Sequence, residues 1–128
     1  MYLAYGLLQP RSDFSLDEAV ARLAVRFPGW SVTRAGGEVH VTQGEWEFKL
    51  RLNADDYVAD ESVGLGGRIV GLEPDEVAAI ESCDRRAELW SDTQDPFVEH
   101  LGDFGSAVEV LKGFRGLIAV DPNEPALM

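Results

Sequence analysis

The chain has 128 residues with 23 acidic and 11 basic side chains, a formal net charge of −12 and 45% hydrophobic content. That length and apolar content suit one packed domain and exclude a disordered chain. The single cysteine, Cys83, excludes an internal disulfide and every multi-cysteine metal scheme. No apolar run approaches the ~18 residues of a membrane span, and no basic segment, apolar run and small-residue cleavage site follow one another at the start, so a reducing cytoplasm is the expected compartment. The charge is unevenly placed. Residues 1–53 hold six bases and six acids, whereas residues 54–128 hold five bases and 17 acids and carry the whole −12. Such a surface repels phosphates and anionic lipid and favours basic partners, although an acidic surface also serves solubility alone.

Taken in chain order, Tyr2 to Gln9 reads as a short buried strand closed by Pro10. Ser15 and Glu18 fit a capping box, and Leu16, Val20, Leu23 and Phe27 follow at helical spacing until Pro28-Gly29. A period of two then runs through three strands. Trp30, Val32, Val39, Val41, Trp46, Phe48, Leu50 and Leu52 share one face; Ser31, Thr33, His40, Thr42, Glu45, Glu47, Lys49 and Arg51 share the other. Turns at Gly36-Gly37 and around Gly44 make this an antiparallel meander with one wet face. Ala54 to Gly67, with Asp55, Asp56, Asp60, Glu61 and three glycines, reads as a long loop, with a strand at its end near Ile69. Pro74-Asp75-Glu76 opens a helix with Val77, Ile80 and Cys83 inward, Arg86 to Trp90 is a strand, and Pro96 begins a helix with Phe97, Leu101, Phe104, Val108 and Leu111 on one face. Leu117 to Val120 closes the pattern as a buried strand stopped by Asp121-Pro122. The expectation is a single acidic α+β domain over residues 1–128, with a mixed, largely antiparallel sheet of about five to six strands and helices packed on one face.

Catalytic schemes fail on inventory. His40 falls on the wet strand face, His100 stands among Glu99, Leu101 and Asp103 with no nucleophile or ligand set beside it, and Cys83 reads as a small core residue. Asp55, Asp56, Asp60 and Glu61 offer oxygen ligands but lack the alternating acids, central glycine and distal glutamate of a calcium loop, so no metal and no cofactor is expected. Gly64-Leu65-Gly66-Gly67 lacks the strand-to-helix setting of a phosphate cradle, and Asp103-Phe104-Gly105 spells the kinase triplet inside an amphipathic helix of a chain too short for a kinase; both matches are accidental. Lys49, Arg51 and Arg34 gather on the wet face but are balanced by Glu45 and Glu47, so direct nucleic-acid binding is not expected.

In its size, its acidic α+β make-up and the segment VEVLKGFRGLIAVDP, where Phe114, Arg115, Gly116 and Asp121-Pro122 carry the likeness, the chain resembles the small acidic immunity proteins that bacteria pair with secreted toxins. The likeness covers about the last third of the chain. It implies steric and electrostatic capture of a toxin and no catalytic residue.

The expected function is that of a non-catalytic inhibitor or immunity protein facing a basic protein partner, such as a toxin nuclease. The expected contact residues are Asp55, Asp56, Asp60 and Glu61, a second cluster of Asp92, Asp95 and Glu99, and Tyr57 and Trp90 as aromatic anchors. The alternatives are a self-associating assembly module and a small carboxylate-based enzyme.

Overall fold

The structure is a computed structural model that describes residues 2–128. Eleven elements follow in order: β1 (Tyr2–Leu8), α1 (Leu16–Arg26), β2 (Ser31–Ala35), β3 (Glu38–Gln43), β4 (Trp46–Asn53), α2 (Tyr57–Arg68), α3 (Pro74–Glu81), β5 (Arg85–Ser91), α4 (Leu101–Lys112), β6 (Leu117–Asp121) and β7 (Ala126–Leu127). The strands form one seven-stranded sheet in the order β2-β3-β4-β5-β1-β6-β7, and each neighbouring pair runs antiparallel. The fold is α+β, with one strand more than the upper expectation. No helix among the described residues is long and apolar enough to cross a membrane.

The alternating meander packs as its period requires. Val39, Val41, Phe48 and Leu50 are fully buried on one face, and the turn from Ala35 to Glu38 and that from Gln43 to Trp46 fix the register. Onto this face fold α1, through Leu16, Ala19 and Leu23, and α4, through Phe104, Ala107, Val108 and Leu111. Phe27 meets Phe48 edge-on at 5.3 Å and Phe14 meets Phe114 at 4.9 Å, so aromatic contacts tie the segments flanking α1 to β4 and to the segment after α4. Ser15 caps α1 by accepting from the Glu18 amide at 3.1 Å, while the Glu18 carboxylate turns to Arg22 instead of completing the box.

Helices cover both faces, not one. Leu7 and Leu8 are sequence neighbours and both are 0% exposed; since successive strand side chains point to opposite faces, β1 is buried on both. Leu8 belongs to the core beneath α1 and α4, and Leu7 joins Leu65, Ile69, Ile80, Cys83 and Val120 in a second core beneath α2 and α3. This second layer spans only part of its face, leaving the β3–β4–β5 side open.

The segment read as an acidic loop is helix α2. The Asn53 side-chain oxygen accepts from the Asp55 amide at 3.0 Å and turns the chain off β4. Val58, Ser62, Leu65 and Ile69 then fall at helical spacing and are buried. Gly66 is the point of close approach to α3: a β-carbon there would stand 3.0 Å from Glu81 Cγ. Burying the larger apolar side chains contributes about 1.5–3 kcal/mol each, which offsets the roughly 1 kcal/mol cost of each helical glycine.

The last long helix begins at Leu101, not at Pro96. Phe97 and Leu101 are exposed at 82% and 51%, so neither belongs to the buried face. Asp95 organises the turn before α4, accepting from the Glu99 and His100 amides at 2.9 Å each and from the Tyr2 hydroxyl at 2.7 Å. Arg34 also leaves its expected place: paired with Val39 across β2–β3, it points to the α1 face, where it meets Asp17.

Candidate functional site

α2 has two distinct sides. Its inner side walls a cleft over the open part of the sheet, and its outer side, with α3, carries charge.

The floor of the cleft comes from β1, β4 and β5. On β5, Arg86, Glu88 and Trp90 alternate with the buried Ala87 and Leu89, so the three point together away from the main core. β5 lies between β4 and β1, and a charged pair on so central a strand is desolvated unless its partners come with it. They do. Arg86 Nε donates to Glu88 Oε2 at 2.7 Å and Arg86 Nη1 to Glu61 Oε1 at 2.7 Å. Glu88 also accepts from Arg51 Nε at 2.5 Å and from Asn53 Nδ2 at 3.0 Å, and that amide donates further to the Tyr57 hydroxyl at 2.6 Å. Burial pushes the Glu88 carboxyl up, but hydrogen bonds from Arg86, Asn53 and Arg51 outweigh it and hold the group below the ordinary glutamate value. The Arg86 guanidinium lies 4.0 Å from the centre of the Tyr5 ring and 5.8 Å from that of Tyr57, and Arg51 lies 5.3 Å from that of Trp90.

Above this floor the cleft has two lobes. One, about 490 Å³, reaches from Tyr5 and Arg86 to Glu61, Arg68 and Asn123. The other, about 320 Å³, lies among Arg51, Tyr57, Glu88 and Trp90. Leu3, Tyr5 and Arg86 line both.

The segment that carries α2 and α3 is rich in carboxylates. Residues 54–84 hold Asp55, Asp56, Asp60, Glu61, Glu73, Asp75, Glu76, Glu81 and Asp84 against Arg68 alone, a net of −8. All nine are exposed, and Glu76 Oε1 accepts from the Glu73 amide at 2.9 Å to start α3. Two thirds of the net charge of −12 thus falls on the segment that carries α2 and α3.

The expected contact residues divide three ways. Tyr57, Glu61 and Trp90 come together at the cleft; Asp55, Asp56 and Asp60 stand at the start of α2 facing solvent. Asp95 is committed to the turn before α4, while Asp92 and Glu99 are exposed nearby. Sequence reading missed Tyr5, Asn53, Arg86 and Glu88. The signal available for the last two was a pair of opposite charges two apart in an otherwise apolar strand, beside a tryptophan.

Elsewhere both histidines and the cysteine are engaged. His40 is held between Glu38 at 3.3 Å and Glu47 at 3.2 Å. His100 stacks on Trp46 with ring centres 4.5 Å apart and meets Asp103 at 3.0 Å. Cys83 is buried, and desolvation pushes its thiol up to about 11. Among the described residues no three His, Cys, Asp or Glu side chains are grouped to hold a metal ion. In comparisons with known proteins, no family model, no curated protein and no solved structure matches the chain.

Proposed function

We propose that the chain is a non-catalytic binding protein that docks a basic protein partner, as an immunity or inhibitor protein docks a toxin nuclease. One observation carries this reading: residues 54–84 hold a net −8, and their nine carboxylate residues are all exposed on or beside the packed α2–α3 pair. Carboxylates fixed on packed helices present a constant field to an approaching partner, which raises association rates and orients the encounter. The half-buried Arg86–Glu61 contact, part of a network rooted in β5, ties α2 to the sheet.

The test is capture of a basic partner by the wild-type protein and by a variant with Asp55, Asp56, Asp60 and Asp75 changed to Asn and Glu76 to Gln. Glu61 stays untouched because it pairs with Arg86. The variant should associate about tenfold more slowly or worse at low salt, with dissociation little altered. Equal rates for the two proteins, or capture of no basic protein, would sink the proposal.

Self-association is the second reading, favoured by the exposed apolar Phe97, Val98 and Leu101 beside α4. A dilution-resistant oligomer in light scattering, broken by Phe97→Ser, would select it; a monomer at all concentrations would remove it.

A further inference from the structure

We infer that the cleft between α2 and the β4–β5–β1 floor is a binding site for a small ligand bearing a carboxylate on a planar apolar body. The inference is independent of the acidic docking surface of Asp55, Asp56, Asp60, Asp75 and Glu76, none of which lines either lobe.

Three features point to that chemistry. The first is cationic capacity left over after internal pairing. Arg51 and Arg68 are each held only through Nε, Arg51 by Glu88 and Arg68 by the Gly64 carbonyl at 3.4 Å, and no hydrogen bond among the described residues engages their terminal nitrogens. Arg51 and Arg86 together balance Glu88 and Glu61, so the charge of Arg68 is the one left over, while the terminal nitrogens of Arg51 stay open as donors. The free guanidinium forks match a carboxylate in geometry and charge. The second is the aromatic lining: Tyr5, Tyr57 and Trp90 with Leu3 supply flat apolar surface beside those forks, Tyr57 being 46% exposed. A bare anion leaves that surface unused. The third is scale. The lobes of about 490 and 320 Å³ fall in the range of small-ligand sites, and a molecule of net charge −12 repels a polyanion at long range far more than a single carboxylate.

The buried Arg86–Glu88 pair acts here as a positioning element. It fixes the angle of Tyr5 and Arg51 before any ligand arrives, which lowers the ordering cost of binding.

The experiment uses naphthalene-2-carboxylate as probe, with naphthalene-2-carboxamide and inorganic phosphate as comparators, and reads the Trp90 indole N–H signal by NMR, assigned with Trp90→Phe. The carboxylate should shift this signal saturably with a dissociation constant below about 1 mM. The amide should bind about tenfold more weakly, and phosphate should not displace the probe at equal concentration. Arg51→Gln and Arg68→Gln should each weaken binding several-fold. Arg68→Gln leaves every bond to Glu88 in place, so a folding defect does not confound it, and an unchanged backbone spectrum confirms the fold. A linear response up to several millimolar, equal binding of the amide, displacement by phosphate, or unchanged affinity in both arginine variants would each overturn the inference.

Discussion

Arg86 and Glu88 form an ion pair at 2.7 Å between side chains only 4% and 5% exposed, on a strand flanked by neighbours on both sides. Two charges so placed are costly to desolvate, and their attraction repays that only because Arg51, Asn53 and Glu61 satisfy the remaining valences. Removing one partner leaves the other charged and buried. Glu88→Ala should therefore destabilise the protein by about 3–5 kcal/mol in urea unfolding at pH 7, whereas the double change Arg86→Met, Glu88→Leu should recover most of that loss. A double variant as unstable as the single one would mean that the pair's net attraction, not mutual neutralisation, holds this region together.

The same site gives the acid limb of the stability curve a definite sign. The Glu88 carboxyl titrates below its ordinary value in the folded protein. Its contribution is therefore complete above the unfolded value of about 4.3 and is lost as pH falls through the lower folded value. Urea midpoints measured from pH 6 down to pH 2 should decline through that window in the wild-type protein. In Glu88→Gln the decline should be shallower, from a lower starting stability. Parallel declines would assign the acid sensitivity to other carboxylates.

The two faces of the sheet were legible to different degrees, for a physical reason. In β3 and β4 the apolar residues alternate with polar ones, which identifies both the strands and the single face that packs under α1 and α4. In β1 and β6 the runs Tyr2–Leu8 and Leu117–Val120 are nearly continuously apolar, the pattern of strands covered on both sides, and this was the available sign of a second helical layer. α2 was hidden because Gly64, Gly66 and Gly67 lower helix propensity just where Val58, Leu65 and Ile69 mark the buried stripe, and packing against the sheet overrides propensity. The cleft was hidden for another reason. Its residues come from β1, β4, α2 and β5, and only the strand order sets Tyr5 and Arg51 on either side of Glu88. Tyr57, Glu61 and Trp90 were selected for their chemistry alone, and the fold gathers these three.

Asp95 makes a separate prediction about the turn before α4. Its carboxylate holds the Tyr2 hydroxyl and the amides of Glu99 and His100, and Val98 in the same turn has φ of 55°, a left-handed conformation that a β-branched residue adopts only when neighbours impose it. Asp95→Ala should release the turn. The Glu99 and His100 amides should then exchange with solvent about tenfold faster or more, while exchange in β3 and β4 stays as in the wild-type protein. Unchanged exchange at these two amides would show that the turn is fixed by Trp46–His100 stacking instead.

Cys83 should be inert in the folded state. It lies in the second core with its Sγ 3.3 Å from the Ala79 carbonyl, and burial pushes the thiol up to about 11. At pH 8 almost none of it is thiolate, the reactive form. A disulfide-exchange reagent should therefore modify Cys83 at the rate of local or global opening, with urea accelerating the reaction. Instant stoichiometric labelling of the native protein would contradict this burial.

The glycines of α2 offer the sharpest check on that helix. Gly64 and Gly67 lie within Tyr57–Arg68, and a β-carbon on either meets no atom within 4 Å. Alanine fits the helical backbone at both positions and reduces the freedom of the unfolded chain. Gly64→Ala and Gly67→Ala should each stabilise the protein by about 0.4–1 kcal/mol. Gly66→Ala should gain less or lose stability, because its methyl group would crowd Glu81 Cγ at 3.0 Å where α2 packs on α3. Were residues 54–67 a loop, the three substitutions would show no such ordering. Urea midpoints of the three single variants therefore distinguish a packed helix from a mobile acidic loop, and with it a fixed acidic surface from a diffuse one.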